Sequence, residues 1–408
     1  MKKPILCFIL IIIAEFSLFV FGTIPTQERL ALIALYNGTN GENWTKNSGW
    51  KNMDGPFDSF SKPGTEDTWY GVKIENGHVI KIILPKNGLS GKIPPQLAKL
   101  KYLEILNLGI NNLTGKIPSQ LARLGNLHEL NLSRNVLRGN IPPAFSNLKG
   151  LVLINLTLNQ LSGNIPHSFG NLEKLETMIL SENNLTGSIP SQLGNLKNLR
   201  VLDLSMNMLE GIIPSTLSNL TNLEVLKLGP NLLVGSIPIW IDKLNKLSHL
   251  SLRNNKLHGT IPPQLATLSQ LKILELYNNE LDGIIPPGLG NLNYLTELDL
   301  FHNNLKGPIP PELGNLGRLK RLNLGYNDLD GPLPPQLGNL TRLKFLSLEV
   351  NQLEGDIPSS LMKLTNLYEF ELRDNCLTTQ NPELKAWLDK HDPNWETKHN
   401  NCKDKLSN

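Results

Sequence analysis

The 408 residues exceed what one ordinary compact core needs, so the chain is either several globular domains or one long repeat array. Charged residues make up 18% and aromatics 6%, and a net charge of +3 is close to neutral at this length. With no long basic run, nucleic acid is not expected as a partner.

Lys2 and Lys3 open the chain, and residues 5–21 are apolar apart from Glu15 and a few small residues. Val20, Phe21 and Gly22 then offer a site that a signal peptidase accepts, so residues 1–22 are expected to be a signal peptide. A membrane anchor is the alternative, but the stretch is at the lower limit for spanning and would bury Glu15. No second apolar stretch of about 20 residues follows. The mature chain is therefore expected to have no membrane span and to be secreted, extracellular or held at the cell surface. Residues 23–78 fit no repeat and hold Trp44, Trp50 and Trp69. They read as an N-terminal cap with a helix over 27–36 and the tryptophans in its core.

Asparagine then recurs every 24 residues, at Asn87, Asn111, Asn135, Asn159, Asn183, Asn207, Asn231, Asn255, Asn279, Asn303, Asn327, Asn351 and Asn375. Gly stands four and Pro seven residues after each of the first twelve. Each position has a physical reason. Leu106 and Leu108 alternate inward while Asn107 faces out, a short strand of period two. Asn111 sits where the chain turns away from that strand, and its amide can satisfy backbone groups of the turn and of the neighbouring coil. Gly115 supplies permissive backbone on the far side. Ile117 packs inward, Pro118 fixes φ, and Leu121 and Leu124 fill the core from the convex side. One coil cannot bury these leucines alone, so coils must stack over residues 79–378 and both ends need covers. Residues 379–408 are expected to be the C-terminal cap, with Leu384, Trp387, Leu388 and Trp395 at roughly helical spacing over 382–395. Cys376 and Cys402 read as one disulfide in an exported chain, worth on the order of 3 kcal/mol by chain entropy. A zinc site with His391 and His399 is the alternative, although no C-x-x-C pair is present.

The unit Asn-x-Leu-x-Gly-x-Ile-Pro-x-x-Leu resembles the plant-type subclass of leucine-rich repeats, found in receptor-kinase ectodomains, polygalacturonase inhibitors and secreted proteins of other lineages. The stretch ending Trp69-Tyr70-Gly71-Val72 is similar to that family's N-cap, but Ile74 stands where a cysteine is usual. Asp392-Pro393-Asn394-Trp395 is more similar to secreted microbial or protist members. The resemblance implies an α/β solenoid: a right-handed superhelix with a parallel concave β-sheet, about 12–13 coils of 24 residues and a cap at each end. It also implies binding of proteins or peptides through the concave sheet.

No catalytic motif is found, and neither cofactor nor metal is expected. Residues 109–116 are superficially like a phosphate loop, but the glycine spacing is wrong and Ile117 replaces the required Ser or Thr. Positions six, four, two and one before each ladder Asn should point out of the concave sheet, where the scaffold does not dictate them. In the N-terminal half they are mostly small or neutral: Asn107 and Gly109, Asn131 and Ser133, Asn155 and Thr157, Asp203 and Ser205. From His249 onward they change character, and the candidate binding residues are His249, Arg253, Glu275, Tyr277, Glu297, Asp299, Phe301, His302, Arg321, Asn323, Tyr326, Phe345, Glu349 and Arg373. Ser251, Ser347, Glu369 and Glu371 lie among them on the same face. Exposed aromatics and arginines are the stuff of interface hot spots; a solvated face with cross-strand ion pairs is the alternative. An acidic strip of Glu275, Glu297 and Asp299 could form a glycosidase-like pair, but an open sheet cannot exclude water, so no enzyme is expected. Sequons begin at Asn37, Asn43, Asn112, Asn131, Asn155, Asn184, Asn219 and Asn339, none of them on the concave positions from His249 to Arg373. The expected function is an extracellular scaffold for a protein or peptide such as a cell-wall enzyme or surface receptor. A structural spacer and a soluble co-receptor or defence protein are the alternatives.

Overall fold

The computed structural model describes residues 23–52 and 59–396. The expected signal peptide, His399 and Cys402 lie outside the described residues. Helix α1 (Thr26–Gly38) leads to a hairpin of β1 (Val72–Glu75) and β2 (His78–Ile83), turned through Asn76 and Gly77, both at positive φ. Asn-Gly is the dipeptide that a two-residue hairpin turn favours. The expected junction at residue 78 falls within this hairpin. β2 is then the first parallel partner of the array, with Lys81 opposite Ile105. Its sheet has 14 strands and adds one strand per coil, in a register that sets Leu106 beside Leu130 and Asn107 beside Asn131. Leu106 and Leu108 are fully buried, as their alternation requires.

A second parallel sheet of 13 strands, not anticipated from the sequence, runs along the other side of the coils. Its strands are the Leu-x-Gly segments, such as Asn112–Gly115, where Leu113 points inward while Asn112 and Thr114 flank it. Far from being only permissive backbone, the segment pairs with its neighbours before Gly115 turns the chain at φ 80°. Pro118 then starts a single 3-10 turn, Ser119–Arg123, that drops Leu121 and Leu124 into the core from the convex side. An apolar side chain buried this completely contributes about 1.5–3 kcal/mol, and the leucines of all coils form one continuous cluster.

The ladder asparagines hold the turns between these segments. Asn111 donates through Nδ2 to the carbonyls of Leu84, Leu108 and Gly109 at 2.9–3.1 Å, and its Oδ1 accepts from the N–H groups of Asn87 and Leu89. The residue before it is left-handed in nearly every coil, even where it is Ile110 or Val350. That conformation costs about 1–2 kcal/mol for a residue with a Cβ, and the bonds of the neighbouring Asn, five at Asn111 and four at Asn351, offset it.

Both ends are covered. Trp44, Trp50 and Trp69 are buried beside Tyr36 of α1, with Trp50 and Trp69 centroids 4.7 Å apart and the Trp50 indole N–H donating to the Tyr70 carbonyl. At the other end lies α2 (Pro382–His391), whose first N–H groups are capped by the Asn381 side chain. α2 ends before Trp395, which is buried beyond the helix, so the helical spacing expected to reach that residue stops short. Leu384 and Leu388 pack inward, and Asp392 accepts the N–H of Leu372 on the last coil.

Candidate functional site

On the concave sheet the N-terminal coils are self-satisfied. Asn107 accepts the N–H of Gly109, Asn131 accepts both the N–H and hydroxyl of Ser133, and Asp203 does the same for Ser205. Each such pair closes within one coil and leaves little for a partner.

From the coil of Glu275 to that of Glu371 the face instead sinks into an open depression of about 500 Å³. Strand alternation places its lining: with Leu298, Leu322 and Leu346 inward, the residues flanking them stand on the concave side. Of the expected binding residues, Glu275, Tyr277, Glu297, Asp299, Phe301, Arg321, Asn323, Phe345 and Glu349 line it. His249, Arg253, His302, Tyr326 and Arg373 lie outside the lining but each contacts it. His249 Nε2 is 3.4 Å from the Glu275 carboxylate, and the Arg253 guanidinium donates to the Tyr277 hydroxyl. Arg373 pairs with Glu349, while His302 and Tyr326 group with the Phe301 ring, Tyr326 at 4.9 Å. Ser347, Glu369 and Glu371, which the sequence places on this face but outside the candidate set, belong to the same lining.

The expectation of freely exposed side chains is wrong at several of these positions. Phe345 is only 7% exposed, and Asp299, Asn323 and Glu349 are similarly buried. Parallel strands lie about 4.8 Å apart, so long side chains from adjacent coils cover one another. The Arg321 guanidinium sits 3.7 Å above the Phe345 ring and reaches Asp299 at 3.4 Å and Glu297 at 3.7 Å. Asp299 also accepts from the Asn323 amide and the Phe301 N–H. Those bonds and Arg321 oppose burial, which prevails and pushes the Asp299 carboxyl up. Burial, then the charge of Glu275, push Glu297 up against Arg321. Burial would raise Glu275 too, but hydrogen bonds from His249 and Ser251 outweigh it and hold that carboxyl below its ordinary value. Glu371 is pushed up to about 7 by burial and by hydrogen bonding to Glu349. These are the marks of carboxylates crowded on a solvent-open face, well suited to holding a charged group.

A larger groove of about 870 Å³ lies on the flank between the outer sheet and the 3-10 turns, lined by repeated Asn, Ser, Ile and Pro positions. His167 is its sole titratable lining residue, so it expresses the repeat geometry and the chemistry lies in the concave depression. Among the described residues no three His, Cys, Asp or Glu side chains converge to hold a metal ion, and no helix is long and apolar enough to cross a membrane.

The chain matches a family profile described as a leucine-rich repeat region over residues 214–389, with further leucine-rich repeat matches at 175–233 and within 102–172. It is similar to the plant peptide hormone receptor RGFR1 in complex with RGF2, at 36% identity and a TM-score of 0.67 over 72% of this chain and 51% of that one. The PEPR1–AtPEP1 structure superposes with a TM-score of 0.76 at 32% identity, over 90% of this chain and 54% of that one. The chain thus spans about half the length of these two proteins. The Leptospira interrogans protein LIC12759 is 30% identical, with a TM-score of 0.56 over 76% of this chain and 88% of that one. No curated protein sequence matches.

Proposed function

This chain belongs to the leucine-rich repeat family, and from that premise we propose that it is an extracellular, non-enzymatic scaffold that binds a protein or peptide in the concave depression around Arg321 and Phe345. The observation that carries this is the contrast along one sheet. The N-terminal coils satisfy their own polar groups, whereas the later coils gather aromatic, arginine and carboxylate side chains in one hollow. Such anchors are what give an interface its affinity. Solved relatives support it, since RGFR1 and PEPR1 are described in complex with RGF2 and AtPEP1. The same similarity supports a receptor-ectodomain-like role; a co-receptor or defence protein whose partner is a surface receptor or a cell-wall enzyme is the finer reading within this proposal.

In this scheme residues 1–22 direct export, 23–78 and 379–408 are caps on the repeats of 79–378, Cys376 pairs with Cys402, and the exposed sequons carry glycans. The test is selection of peptides from a random dodecapeptide display library on the immobilised chain. Binders should lose affinity by about tenfold or more for a Tyr277→Ala, Phe301→Ala, Tyr326→Ala variant that keeps the wild-type circular dichroism and melting temperature. Unchanged capture by that folded variant removes the site.

A further inference from the structure

We propose that the concave depression selects segments presenting an arginine or lysine, and holds that side chain's cation among its carboxylates. The inference rests on the concave-face binding proposed above and specifies the partner's chemistry. Six carboxylates, Glu275, Glu297, Asp299, Glu349, Glu369 and Glu371, line the one hollow. The nearby guanidiniums are already committed: Arg253 to Tyr277, Arg321 to Glu297 and Asp299, and Arg373 to Glu349. Three cations against six carboxylates leave a negative surplus on a face that water reaches, and an added cation relieves it.

A second observation is independent of charge. Ser347 stands between the core residues Leu346 and Leu348, so its hydroxyl points into the floor of the depression; it is 1% exposed and has no hydrogen-bond partner among the described residues. A buried hydroxyl left unmet is unfavourable, and a donor that reaches it removes that cost. The N–H donors of a guanidinium or ammonium are what its oxygen can accept. The walls suit the stem of such a side chain as well. Phe301 and Tyr277 offer ring faces, and the arginines already present show the use such faces are put to, Arg253 at 5.4 Å from the Tyr277 centroid and Arg321 covering Phe345 at 3.7 Å. The carboxylates do not converge as metal ligands do; their spread fits an extended organic cation.

The experiment resynthesises the tightest library peptides with each arginine replaced by citrulline and each lysine by acetyl-lysine. Binding is measured by fluorescence anisotropy against wild type and a Glu297→Gln, Glu371→Gln variant whose melting temperature is checked. Expected are peptides enriched in basic residues, a loss of about tenfold or more on neutralising them, and a comparable loss in the double variant. Affinity should also weaken as pH falls through about 7, where Glu371 takes up its proton. Peptides that the triple alanine variant loses but that tolerate citrulline and acetyl-lysine would overturn the cation and leave concave binding standing. Peptides indifferent to the triple alanine variant overturn both. Displacement by calcium well beyond that produced by sodium chloride of equal ionic strength assigns the carboxylates to a metal and overturns the proposal as well.

Discussion

Phe345 and Glu371 show how one side chain on this sheet answers to its neighbours in adjacent coils. Phe345 is nearly buried although it faces the partner side, because the Arg321 guanidinium sits over its ring. Replacing it by alanine removes ring area and a cation–π contact, which together contribute roughly 1–3 kcal/mol. Phe345→Ala should therefore lower the urea midpoint modestly, free Arg321, and weaken the selected peptides more than it weakens the fold. Loss of stability with unaltered peptide affinity would place the ring in the scaffold alone. For Glu371 the sign follows from its raised pKa. Its ordinary value is 4.5 and the folded chain holds it at about 7, through burial first and then Glu349 and Glu369, against the opposing charge of Arg373. Below 4.5 both states carry the proton. As pH rises toward 7 the unfolded chain releases it first, so this group's favourable contribution to folding fades across that window and is gone above it. Melting temperatures measured from pH 4.5 to 8 should show a decline that Glu371→Gln flattens; an identical decline in the variant would assign it to other groups.

At the scale of the coil, the ladder turn is the element that cannot be altered cheaply. Asn279 donates to the carbonyls of Leu252, Leu276 and Tyr277 and accepts from the N–H of Leu257, so it ties its own coil to the preceding one. Asn279→Ala leaves a buried donor and buried acceptors unmet, a loss on the order of 3 kcal/mol. Asn279→Asp keeps the acceptor but turns a carboxylate oxygen toward three carbonyls, and should be no better. Denaturant unfolding of both variants beside wild type decides it, and a cost below 1 kcal/mol for either contradicts the ladder. Much of this was legible in the sequence, because Leu, Asn, Gly and Pro each recur for a reason local to one coil. The outer sheet was not, since Leu-x-Gly gives too short a run to show a strand's alternation. Nor was the left-handed turn before nearly every Asn, where Ile110, Met206 and Tyr326 offer none of the usual Gly or Asn signals. The candidate face was legible in its residue types and in where along the array they change. Which of those side chains are buried was not, because Phe345 and Asp299 are covered by neighbours one coil away, and that packing has no period.

The molecule as a whole behaves as a line of coils, each touching only the next, so damage should travel only as far as its nearest interfaces. The concave depression ends on the last strand of its sheet, at Glu369 and Glu371, and among the described residues no further strand pairs beyond it. What covers it is α2. Trp387 packs on Phe370 at 5.3 Å, Leu384 and Leu388 are buried, and Asp392 takes the N–H of Leu372 that a next coil would have taken. Site and cap are thus physically joined: the carboxylates of the final strand hold their places only while the helix holds the strand. Leu388→Asp puts a carboxylate into that apolar seam at a cost of several kcal/mol, enough to undock α2 without unseating distant coils. Hydrogen exchange should then quicken from about residue 345 onward while coils before residue 200 keep their protection. Peptide affinity should fall even though Leu388 lies outside the lining. Uniform loss of protection along the chain would show a single cooperative unit, and full affinity with α2 released would show that the depression forms without its cap.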